Sequence, residues 1–579
     1  MNNLRTIIKI LSPRQKYTAV ILVFFLVIGA VFETAGVAAV VPIIAVLIDE
    51  NFLDKYQWVS PLYGYIGVES QYWIVIFTLL AVAVLYLVKN IFLAFLTYLK
   101  IKYILNIRLN LSLKLFEGYL KNPYTFHMQK NTARLIQAIT RESENYAANI
   151  LLPLVSLIGE VFVIVGLIVL LTVMVSITTL LALLIFLVVA ILVYKSTQKR
   201  MKQWGVIRQE NEIKKLKEIQ QALNGIKYVK ISGSEHVSVK NFSQFDHSSM
   251  MALRKGMFIK ELPRMIFEIA ALFSMLVVVF TTIDSDETDK VLTTLALFSI
   301  ATFKLLPSFS KIISALHSLR YYSSSVSLLS KDLSEVEDIV SSDKLGNNFH
   351  FKDEIVINSL GYSYPGSNNK SLSKINLKIK SGMLVGIIGS SGAGKSTLVD
   401  LIVGLLPPTD GVICADGHDI NENISGWQKN IGYVPQEIYL IDDTLKKNIA
   451  FGVPSEQINE SALSNAIKLA QLSTFIDKQP DKIDTVVGEH GVRMSGGQRQ
   501  RVGIARALYN KPTILVFDEA TSALDSKTEA SIMDAVSDLK GKITIIMIAH
   551  RHTSLASCDI IFSLENGELV HKGSYESIC

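Results

Sequence analysis

The stretch Gly389-Ser390-Ser391-Gly392-Ala393-Gly394-Lys395-Ser396 decides how the rest of this sequence is interpreted. It follows the apolar run Met383 to Ile388, typical of a buried strand, and it precedes Thr397 and a segment typical of a helix. Glycines here let the backbone wrap closely around an anion, with its N–H groups pointing inward at a helix N-terminus. Lys395 can then reach the β- and γ-phosphates of a nucleotide, and the Ser396 hydroxyl can ligate Mg²⁺. The pattern predicts a phosphate-binding loop; the alternative is a chance glycine-rich turn.

Composition predicts a membrane protein joined to a soluble domain. Of 579 residues, 50% are hydrophobic and only 19% are charged, and the apolar residues crowd into residues 17–322. The net charge of +6 is modest and gives no reason to expect nucleic acid as a partner. Cys414, Cys558 and Cys579 resemble neither a disulfide framework nor a metal site. No cleavable signal peptide is evident at the N-terminus.

Six segments are long and apolar enough to cross a bilayer of ~30 Å. They lie near Tyr17–Ile48, Trp73–Thr97, Ile150–Val173, Thr178–Tyr194, Met265–Ile283 and Val291–Leu316. The third and fourth form a tight hairpin around residues 175–177. Lys and Arg are concentrated before Tyr17 and between Lys195 and Lys230, whereas Asp49–Gln71 and Asp284–Lys290 are more acidic. This asymmetry predicts that both termini are cytoplasmic.

Two helical patterns continue beyond their spans on the predicted cytoplasmic side. A single helix from Trp73 to Leu120 would be about 70 Å long and would project well out of the bilayer. The turns predicted at 122–126 and 220–230 would then end protruding helix pairs that act as levers; the alternative is a solvated linker. On the opposite side, Asn51–Ile66 is rich in aromatic residues, which fits an interfacial helix or ordinary aromatic anchoring equally well.

Ionisable residues inside the predicted spans cost free energy to place in the bilayer, so their presence indicates pairing or a functional role. The acids are Glu33, Glu160 and Glu268, and the bases are Lys89, Arg264 and Lys304. One interpretation is that these groups snorkel or pair with each other, as Arg264 and Glu268 can at i,i+4 spacing. The other is that Lys89, Arg264 and Lys304 face a shared aqueous cavity and bind an anionic headgroup such as a phosphate or pyrophosphate.

The soluble half carries further signals of nucleotide chemistry. Ile514 to Asp518 reads as a buried strand whose final acid holds Mg²⁺, and Glu519 follows as a candidate general base. A second helix with an anion-binding N-terminus begins with Ser495, Gly496, Gly497 and Gln498. One nucleotide bound to one chain needs only one phosphate-binding site. That second site is best explained if it closes over nucleotide held by another copy of the domain. The ring of Tyr364 could stack on adenine or could be a core tyrosine.

These motifs together resemble the nucleotide-binding domain of ABC transporters. By resemblance, Gly389–Ser396 is the Walker A motif, Gln436 the Q-loop, Met494–Gln498 the signature motif with Met where Leu is usual, and Ile514–Asp518 Walker B. Glu519 matches the catalytic acid, Asp525 the D-loop acid, His550 the switch histidine and Tyr364 the A-loop. Six spans followed by one such domain are similar to an exporter-type half-transporter, in which the cytoplasmic turns act as coupling helices.

The resemblance implies a set of site residues. Glu519, His550, Lys395 and Gln436 would promote hydrolysis, and Ser396, Gln436 and Asp518 would hold Mg²⁺. ATP would contact residues of both domains in a homodimer: Tyr364, Gly389, Ser390, Ser391, Gly392, Ala393, Gly394, Lys395, Ser396, Thr397, Gln436, Ser495, Gly496, Gly497, Gln498, Asp518 and Asp525.

The membrane half resembles, more closely, the bacterial flippases of lipid-linked oligosaccharides used in protein N-glycosylation. The matching stretches are Phe32-Glu33-Thr34 with Pro42, Pro263-Arg264 with Glu268, and Leu306-Pro307-Ser308 followed by Tyr321-Tyr322-Ser323-Ser324. In that family basic cavity residues engage the pyrophosphate; Lys89, Arg264 and Lys304 are the candidates here. The resemblance implies an inner-membrane flippase of a lipid-linked oligosaccharide.

The sequence therefore predicts a membrane domain of six transmembrane helices over 1–325, a linker over 326–350 and an α/β P-loop ATPase domain over 351–579. The predicted partners are membrane lipids, an amphipathic substrate and a second copy of the chain. An exporter of lipid, peptide or drug is the main alternative. A non-transporting ABC ATPase, which six spans argue against, and an ATP-gated channel are the others.

Overall fold

The computed structural model describes residues 2–39, 43, 46, 71–174, 178–282, 288–340, 349–367, 369–519, 526–549 and 555–578. The chain divides into two compact units: Met1–Asn122 with Lys130–Ser342, and Pro123–Gln129 with Asp343–Cys579. The predicted outer helix at 51–66, Pro42, the turn at 175–177, Asp525 and His550 lie outside the described residues.

The first unit is helical throughout its described part. Its helices are α1 (Asn2–Ile10), α2 (Pro13–Ala38), α3 (Gln71–Lys121), α5 (Thr132–Gln137), α6 (Ser143–Tyr146), α7 (Leu152–Met174), α8 (Thr178–Asn224), α9 (Ile226–Ser232), α10 (Glu235–Thr282), α11 (Thr288–Tyr321) and α12 (Ser323–Val340), and α4 (Tyr124–Gln129) is grouped with the second unit. Two π-helical stretches, Ala138–Glu142 and Ala147–Leu151, join α5, α6 and α7 into one continuous helical run.

The described parts of the six predicted spans lie on helices, the first of them on α2 as far as Ala38. Within the described residues, four helical segments are both long and apolar enough to cross a membrane: Pro13–Ala38, Tyr72–Lys121, Thr132–Thr172 and Glu235–Phe280. The fourth and sixth predicted spans lie on α8 and α11. The expected single helix over residues 73–120 is confirmed, since α3 runs from Gln71 to Lys121. It ends directly before Asn122-Pro123, where proline removes a backbone donor.

Three phenylalanines hold the centre of the membrane helices together. Phe186 of α8, Phe267 of α10 and Phe309 of α11 are all buried, and their ring centroids lie 5.6 to 6.0 Å apart. Rings at this spacing stabilise one another beyond the area that they bury. These contacts fix α8, α10 and α11 as one bundle.

The predicted linker differs from the structure over much of its length. Residues 323–340 form helix α12, which packs within the first unit rather than spacing it from the second. Its carboxylate Asp332 is 3% exposed and accepts hydrogen bonds from the Tyr119 hydroxyl at 2.6 Å and from Arg134 Nη2 at 3.0 Å. The charged residues of this segment favoured a linker in the sequence, but in the structure Asp332 belongs to a buried hydrogen-bonded network.

The second unit holds two sheets. The strands are β1 (Glu354–Tyr362), β2 (Leu372–Lys380), β3 (Leu384–Gly389), β4 (Asp410–Ala415), β5 (His418–Asp419), β6 (Ile431–Val434), β7 (Ile514–Asp518), β8 (Thr544–Ile548), β9 (Ile560–Glu565) and β10 (Glu568–Gly573). An antiparallel sheet has the order β2-β1-β4-β5, and a mainly parallel sheet has the order β10-β9-β3-β8-β7-β6. The principal helices are α13 (Lys395–Ile402), α14 (Ile424–Gln428), α15 (Leu445–Ile449), α16 (Glu460–Leu469), α17 (Ser473–Asp477), α18 (Gly496–Tyr509), α19 (Ser526–Ser537) and α20 (Tyr575–Ile578).

The order of the parallel sheet positions the site. Strands β3 and β7 flank β8 and run parallel to it, so their carboxyl ends meet at one edge of the sheet. In such sheets ligands bind outside the carboxyl ends of the strands. The predicted α/β ATPase fold is thus observed, with the P-loop and the strand-terminal acids at the same edge.

The network around Asp332 gives a test of the packing of α12. Replacing Asp332 by Ala should remove the buried carboxylate to which Tyr119 and Arg134 donate and destabilise the first unit by roughly 3 kcal/mol. Replacing Glu335, whose ion pair with Lys130 at 2.9 Å is more exposed, should cost about 1 kcal/mol or less. Thermal unfolding of the purified variants should therefore show a clearly lower midpoint for Asp332→Ala than for Glu335→Ala. Equal midpoints would contradict the structural role of Asp332.

Candidate nucleotide-binding site

The phosphate-binding loop runs from the end of β3 to the start of α13. Gly389 has φ 151 and Gly394 has φ 98, and a Cβ at Gly389 would lie 2.3 Å from the carbonyl oxygen of Leu564. Only glycine fits such positions, because the backbone must pass close to its neighbours with a positive φ. Lys395 is buried, and its Nζ donates to the carbonyl oxygens of Gly389 and Ser390 at 2.9 Å each. The lysine is held within the loop it would use to bind phosphate.

A cavity of about 590 Å³ opens in front of this loop. It is lined by Tyr364, Lys370, Ser371, Ser391, Gly392, Gly394, Lys395, Ser396, Thr397, Glu519, Asn566 and Gly567. Tyr364 lies against the loop, with its hydroxyl 3.0 Å from Thr397 Oγ1. The structure thus brings most of the predicted Walker A residues, Tyr364 and Glu519 to one polar cavity.

Four residues of this lining were missed by sequence reasoning. Lys370 and Ser371 precede β2, and Asn566 and Gly567 form the turn between β9 and β10. The Gly567 N–H donates to the carbonyl oxygen of Ala393 at 3.2 Å, and its carbonyl oxygen accepts from Ser373 N–H. An Asn-Gly hairpin turn was visible in the sequence, but its place against the loop follows from β9 lying beside β3.

The strand-terminal acids lie beside the Q-loop. Gln436 Nε2 donates to Glu519 Oε2 at 2.9 Å, and the Tyr433 hydroxyl donates to Asp518 Oδ2 at 3.2 Å. Glu519 has φ 49, a conformation that is strained for a residue with a side chain and is found mainly at functional sites. The predicted neighbours Gln436, Asp518 and Glu519 are therefore together, and Tyr433 joins them.

Negative charge accumulates at this edge of the sheet. Burial, with the charge of Asp518 added, raises the pKa of Asp400 on α13 to about 6. Burial also raises the pKa of Asp518, an effect that the hydrogen bond from Tyr433 opposes. Half-buried carboxylates that disfavour each other's charge are the setting in which a bound cation is stabilised. The oxygen atoms of Asp518, Ser396 and Gln436 are the hard donors that suit Mg²⁺.

The predicted second anion-binding helix is separate from this cavity. Ser495 caps α18: its Oγ accepts from Gln498 N–H at 3.3 Å, and its own N–H donates to Gln498 Oε1 at 2.9 Å. Ser495 and Gly496 are exposed, whereas Met494, which replaces the usual leucine, is buried in the core. Among the described residues that line the cavity, none comes from the segment 494–498. The exposed N-terminus of this helix is therefore not part of the P-loop cavity of its own chain.

The fold and this site define a P-loop ATPase joined to a helical transmembrane domain. Two family models match the chain: one described as ABC transporter over residues 372–522, and one described as ABC transporter transmembrane region over residues 19–305. The chain belongs to the ABC transporters and has the half-transporter arrangement of a membrane domain followed by an ATPase domain. It is an ATP hydrolase that couples hydrolysis to transport, and a multi-pass membrane protein.

Known relatives agree with this assignment. A protein of Pectobacterium atrosepticum named ATP-dependent lipid A-core flippase is 29% identical over 475 residues, 81% of this chain and 80% of the relative. A protein of the same name from Vibrio cholerae is 28% identical over 475 residues, 82% and 81% of the two chains. A solved structure of a bacterial Atm1-family ABC exporter with ATP bound matches with a TM-score of 0.79 at 21% identity, covering 98% of this chain and 96% of that one. This last likeness supports the exporter fold.

The contact between Tyr433 and Asp518 gives a prediction about the site. Tyr433→Phe keeps the ring but removes the hydroxyl that orients the carboxylate. Loss of one hydrogen bond to a charged group is worth about 1.5–3 kcal/mol, so ATP hydrolysis should fall roughly tenfold or more and need more Mg²⁺. Steady-state ATPase assays across a Mg²⁺ titration measure both effects. Tyr439→Phe, on an exposed ring, is the matched control. Unchanged Mg²⁺ dependence in Tyr433→Phe would contradict the positioning role.

Proposed function

We propose that two copies of this chain bind ATP between their nucleotide-binding domains. The observation that supports this is the separation of the two anion-binding features within one chain. The P-loop cavity is lined by Lys395 and Ser396, whereas Ser495 and Gly496 are exposed elsewhere on the domain. An exposed helix N-terminus with a serine cap is suited to the γ-phosphate of a nucleotide held by a partner. Gly497, Gln498 and Asp525 would contribute to the same shared site.

In this proposal the residues at the sheet edge divide the steps of ATP hydrolysis among them. Lys395 exchanges its hydrogen bonds with loop carbonyl oxygens for bonds to phosphate oxygens. Glu519 orients the attacking water and accepts its proton, and Gln436 holds Glu519 by their hydrogen bond. Ser396, Gln436 and Asp518 would hold Mg²⁺, which when bound supplies charge stabilisation for the transferred phosphoryl group. His550 is proposed as the switch histidine on the basis of the sequence.

Glu519 can be tested directly. Glu519→Gln keeps the shape and the contact to Gln436 but removes the base, so ATP should still bind while turnover falls by about 10²–10⁴-fold. The variant should accumulate as a dimer with ATP, measured by size-exclusion chromatography with light scattering and by nucleotide retention. Ser495→Ala should lose that dimer while still binding nucleotide to the P-loop. Wild-type turnover in Glu519→Gln, or full activity of Ser495→Ala as a monomer, would overturn the proposal.

We further propose that the transported substrate is a lipid-linked oligosaccharide or a similar anionic glycolipid. The observation that carries this is the convergence of two membrane lysines on one turn of α2. Lys304 of α11 pairs with Glu33, and Lys89 of α3 lies against Gly36, where a Cβ would be 3.2 Å from its Nζ. Glu33 and Gly36 are neighbours on one helix face. Two of the three predicted cations are therefore close together.

The two lysines differ in how far their charge is compensated. Lys304 has its carboxylate partner, whereas Lys89 is 9% exposed and its Nζ lies over the ring of Tyr86, 4.0 Å from the centroid. The Tyr86 hydroxyl donates to the carbonyl oxygen of Gly36 at 3.0 Å, which fixes the ring under the ammonium. Among the described residues, no Asp or Glu side chain forms an ion pair with Lys89. A buried cation without an acid is the group that a phosphate would stabilise most.

Arg264 is less suited to this role than the sequence suggested. Its Nε lies 3.3 Å from Glu268 Oε1 one turn away, and both side chains are more than half exposed. Glu160 is similarly paired, with Lys311 at 2.7 Å. The local-pairing interpretation therefore accounts for Arg264, Glu268 and Glu160, and Lys89 is the principal candidate for binding a headgroup.

The relatives support a lipid-exporting function without deciding the headgroup. They are named flippases of lipid A-core, and a lipid A-core molecule and a polyprenyl-pyrophosphate glycan share phosphate next to sugar. A lipid exporter with another anionic headgroup is therefore the second candidate. Mass spectrometry of the lipid that co-purifies with the protein distinguishes the two.

Lys89 gives the corresponding test. Lys89→Met keeps the length of the side chain but removes the charge, so stimulation of ATPase activity by a polyprenyl-pyrophosphate glycan in proteoliposomes should require roughly tenfold more lipid. Lys102→Met, an exposed lysine on the same helix, is the matched control and should respond like wild type. Equal stimulation of both variants would contradict a role for Lys89 in substrate binding. Stimulation by lipid A-core alone would favour the second candidate.

A further inference from the structure

A buried cationic cluster lies where the end of α11 packs against the interior of α8 and α10. We define the junction cluster as Arg208 of α8, Lys260 of α10, and His317, Tyr321 and Tyr322 at the end of α11. Twelve buried side-chain nitrogen and oxygen atoms have no hydrogen-bond partner among the described residues, and four of them belong to Arg208, His317 and Tyr321. Buried polar groups are normally paired, so such a concentration requires a physical explanation.

Two glycines bring the helices close enough to form the cluster. A Cβ at Gly205 of α8 would lie 1.7 Å from the carbonyl oxygen of Tyr321, and a Cβ at Gly256 of α10 would lie 2.6 Å from the Tyr321 ring. Arg208 follows Gly205 by one turn, and Lys260 follows Gly256 by one turn. Because Tyr321 packs closely against both helices, the Arg208 and Lys260 side chains also lie near Tyr321.

The two cations share the same pair of aromatic rings. Arg208 Cζ lies 4.9 Å from the Tyr322 ring centroid and 5.7 Å from that of Tyr321. Lys260 Nζ lies 5.3 Å and 6.0 Å from the same two centroids. Arg208 is 4% exposed and Lys260 is half-buried. Contacts with ring faces offset part of the cost of burying positive charge but supply no hydrogen-bond acceptor.

The nearby carboxylates are already used by other groups. Glu212 accepts from Ser249 Oγ at 2.7 Å and from Lys215 Nζ at 2.9 Å. Glu142 accepts from Gln137 Nε2 at 2.9 Å. In the part of the chain that the structure describes, neither Arg208 nor Lys260 forms an ion pair with an acid. Two positive charges therefore meet in a largely buried place. The nearby Glu212 carboxylate attracts Arg208 but makes its short contacts with Lys215 and Ser249, so burying both cations is costly.

The unpartnered atoms of Arg208 indicate which kind of ligand would accept their hydrogen bonds. They are Nε and Nη2, which lie on one edge of the guanidinium. That edge donates two parallel hydrogen bonds and matches two oxygen atoms of a phosphate or similar oxyanion. The unpartnered Tyr321 hydroxyl can donate a third, and the Lys260 ammonium adds charge.

We propose that the junction cluster binds an oxyanion of phosphate type, held side-on by Arg208 and neutralised together with Lys260. A water molecule could accept from Arg208 but would leave both charges uncompensated. Bound there, the anion links α8, α10 and the end of α11, so it favours the arrangement in which these helices are together. This site is separate from the P-loop cavity and from Lys89.

The anion can come from solution or from a lipid headgroup. Arg208 follows Tyr194, the predicted end of the fourth span, and the intervening helix rises by roughly 20 Å. That distance favours a soluble ion such as inorganic phosphate, and a phosphate-bearing lipid that reaches the site from the bilayer is the other source of the same chemistry.

The test measures protection of the full-length protein by phosphate. All samples carry Lys395→Ala to weaken phosphate binding at the P-loop, and thermal unfolding is followed in sodium phosphate and in sodium chloride of equal ionic strength. Phosphate should raise the unfolding midpoint in this background, and Arg208→Gln should abolish the rise. Lys217→Gln, an exposed cation on the same helix, should keep it. Equal protection of both variants would overturn the proposal, and so would a background protein that neither phosphate nor the lipid probe of the second arm protects beyond chloride.

Two milder variants keep the test valid if Arg208→Gln does not fold. Arg208→Lys keeps the charge but lacks the two-donor edge, and Tyr321→Phe keeps the ring that packs on Gly256. Both should weaken phosphate protection several-fold while unfolding normally in chloride. A second arm replaces phosphate by micelles containing phosphatidylglycerol. Protection by that lipid alone, lost in Arg208→Lys, would support the site with a lipid source, and protection unaffected by Arg208→Lys and Tyr321→Phe would contradict it.

Discussion

The parallel order of β3, β8 and β7 is the constraint on which the ATPase chemistry depends. Strands that run in the same direction end at the same edge, so the phosphate-binding loop after β3 and the acids after β7 open onto one place. Lys395 and Glu519 are 124 positions apart in the chain, yet both line a single cavity. The hydrogen bond from Gln436 to Glu519 and the one from Tyr433 to Asp518 then set the direction of each carboxylate.

The same domain also shows why one copy is incomplete. A phosphate-binding loop and a capped helix N-terminus are both anion sites, but they lie on different parts of the domain. Gln498 and Ser495 satisfy each other in a capping box, so the second site is preorganised without its ligand. A helix end that is already shaped for an anion, and exposed, is physically suited to a nucleotide supplied by another copy.

In the first unit, charge inside the helical bundle is mostly compensated pair by pair. Glu33 with Lys304, Glu160 with Lys311 and Glu268 with Arg264 neutralise one another, as the cost of charge in hydrocarbon requires. Lys89 and the junction cluster depart from this rule in the described part of the chain. Uncompensated buried cations are expensive to keep, so both are places where a transported or regulatory anion would contribute free energy.

Sequence by itself determined the local elements whose signals are short in range. The glycine pattern of the P-loop, the acids after an apolar strand, the capped signature helix and the long apolar helices each follow from neighbouring residues, and the ABC transporter family follows from their combination. The described parts of the six predicted spans lie on helices for the same reason, because apolar length is a local property.

Tertiary structure decided which distant groups meet. Asn566 and Gly567 support the P-loop only because β9 lies beside β3, and residues 323–340 form a packed helix only because Asp332 finds Tyr119 and Arg134. The i,i+4 spacing of Arg264 and Glu268 already allowed the pair that the structure contains, whereas the approach of Lys89 and Lys304 to one turn of α2 depends on how three helices pack. Spacing along the chain determines which face of a helix or strand a residue occupies and which local neighbours it can contact. Its partners on other helices and strands depend on how those elements pack.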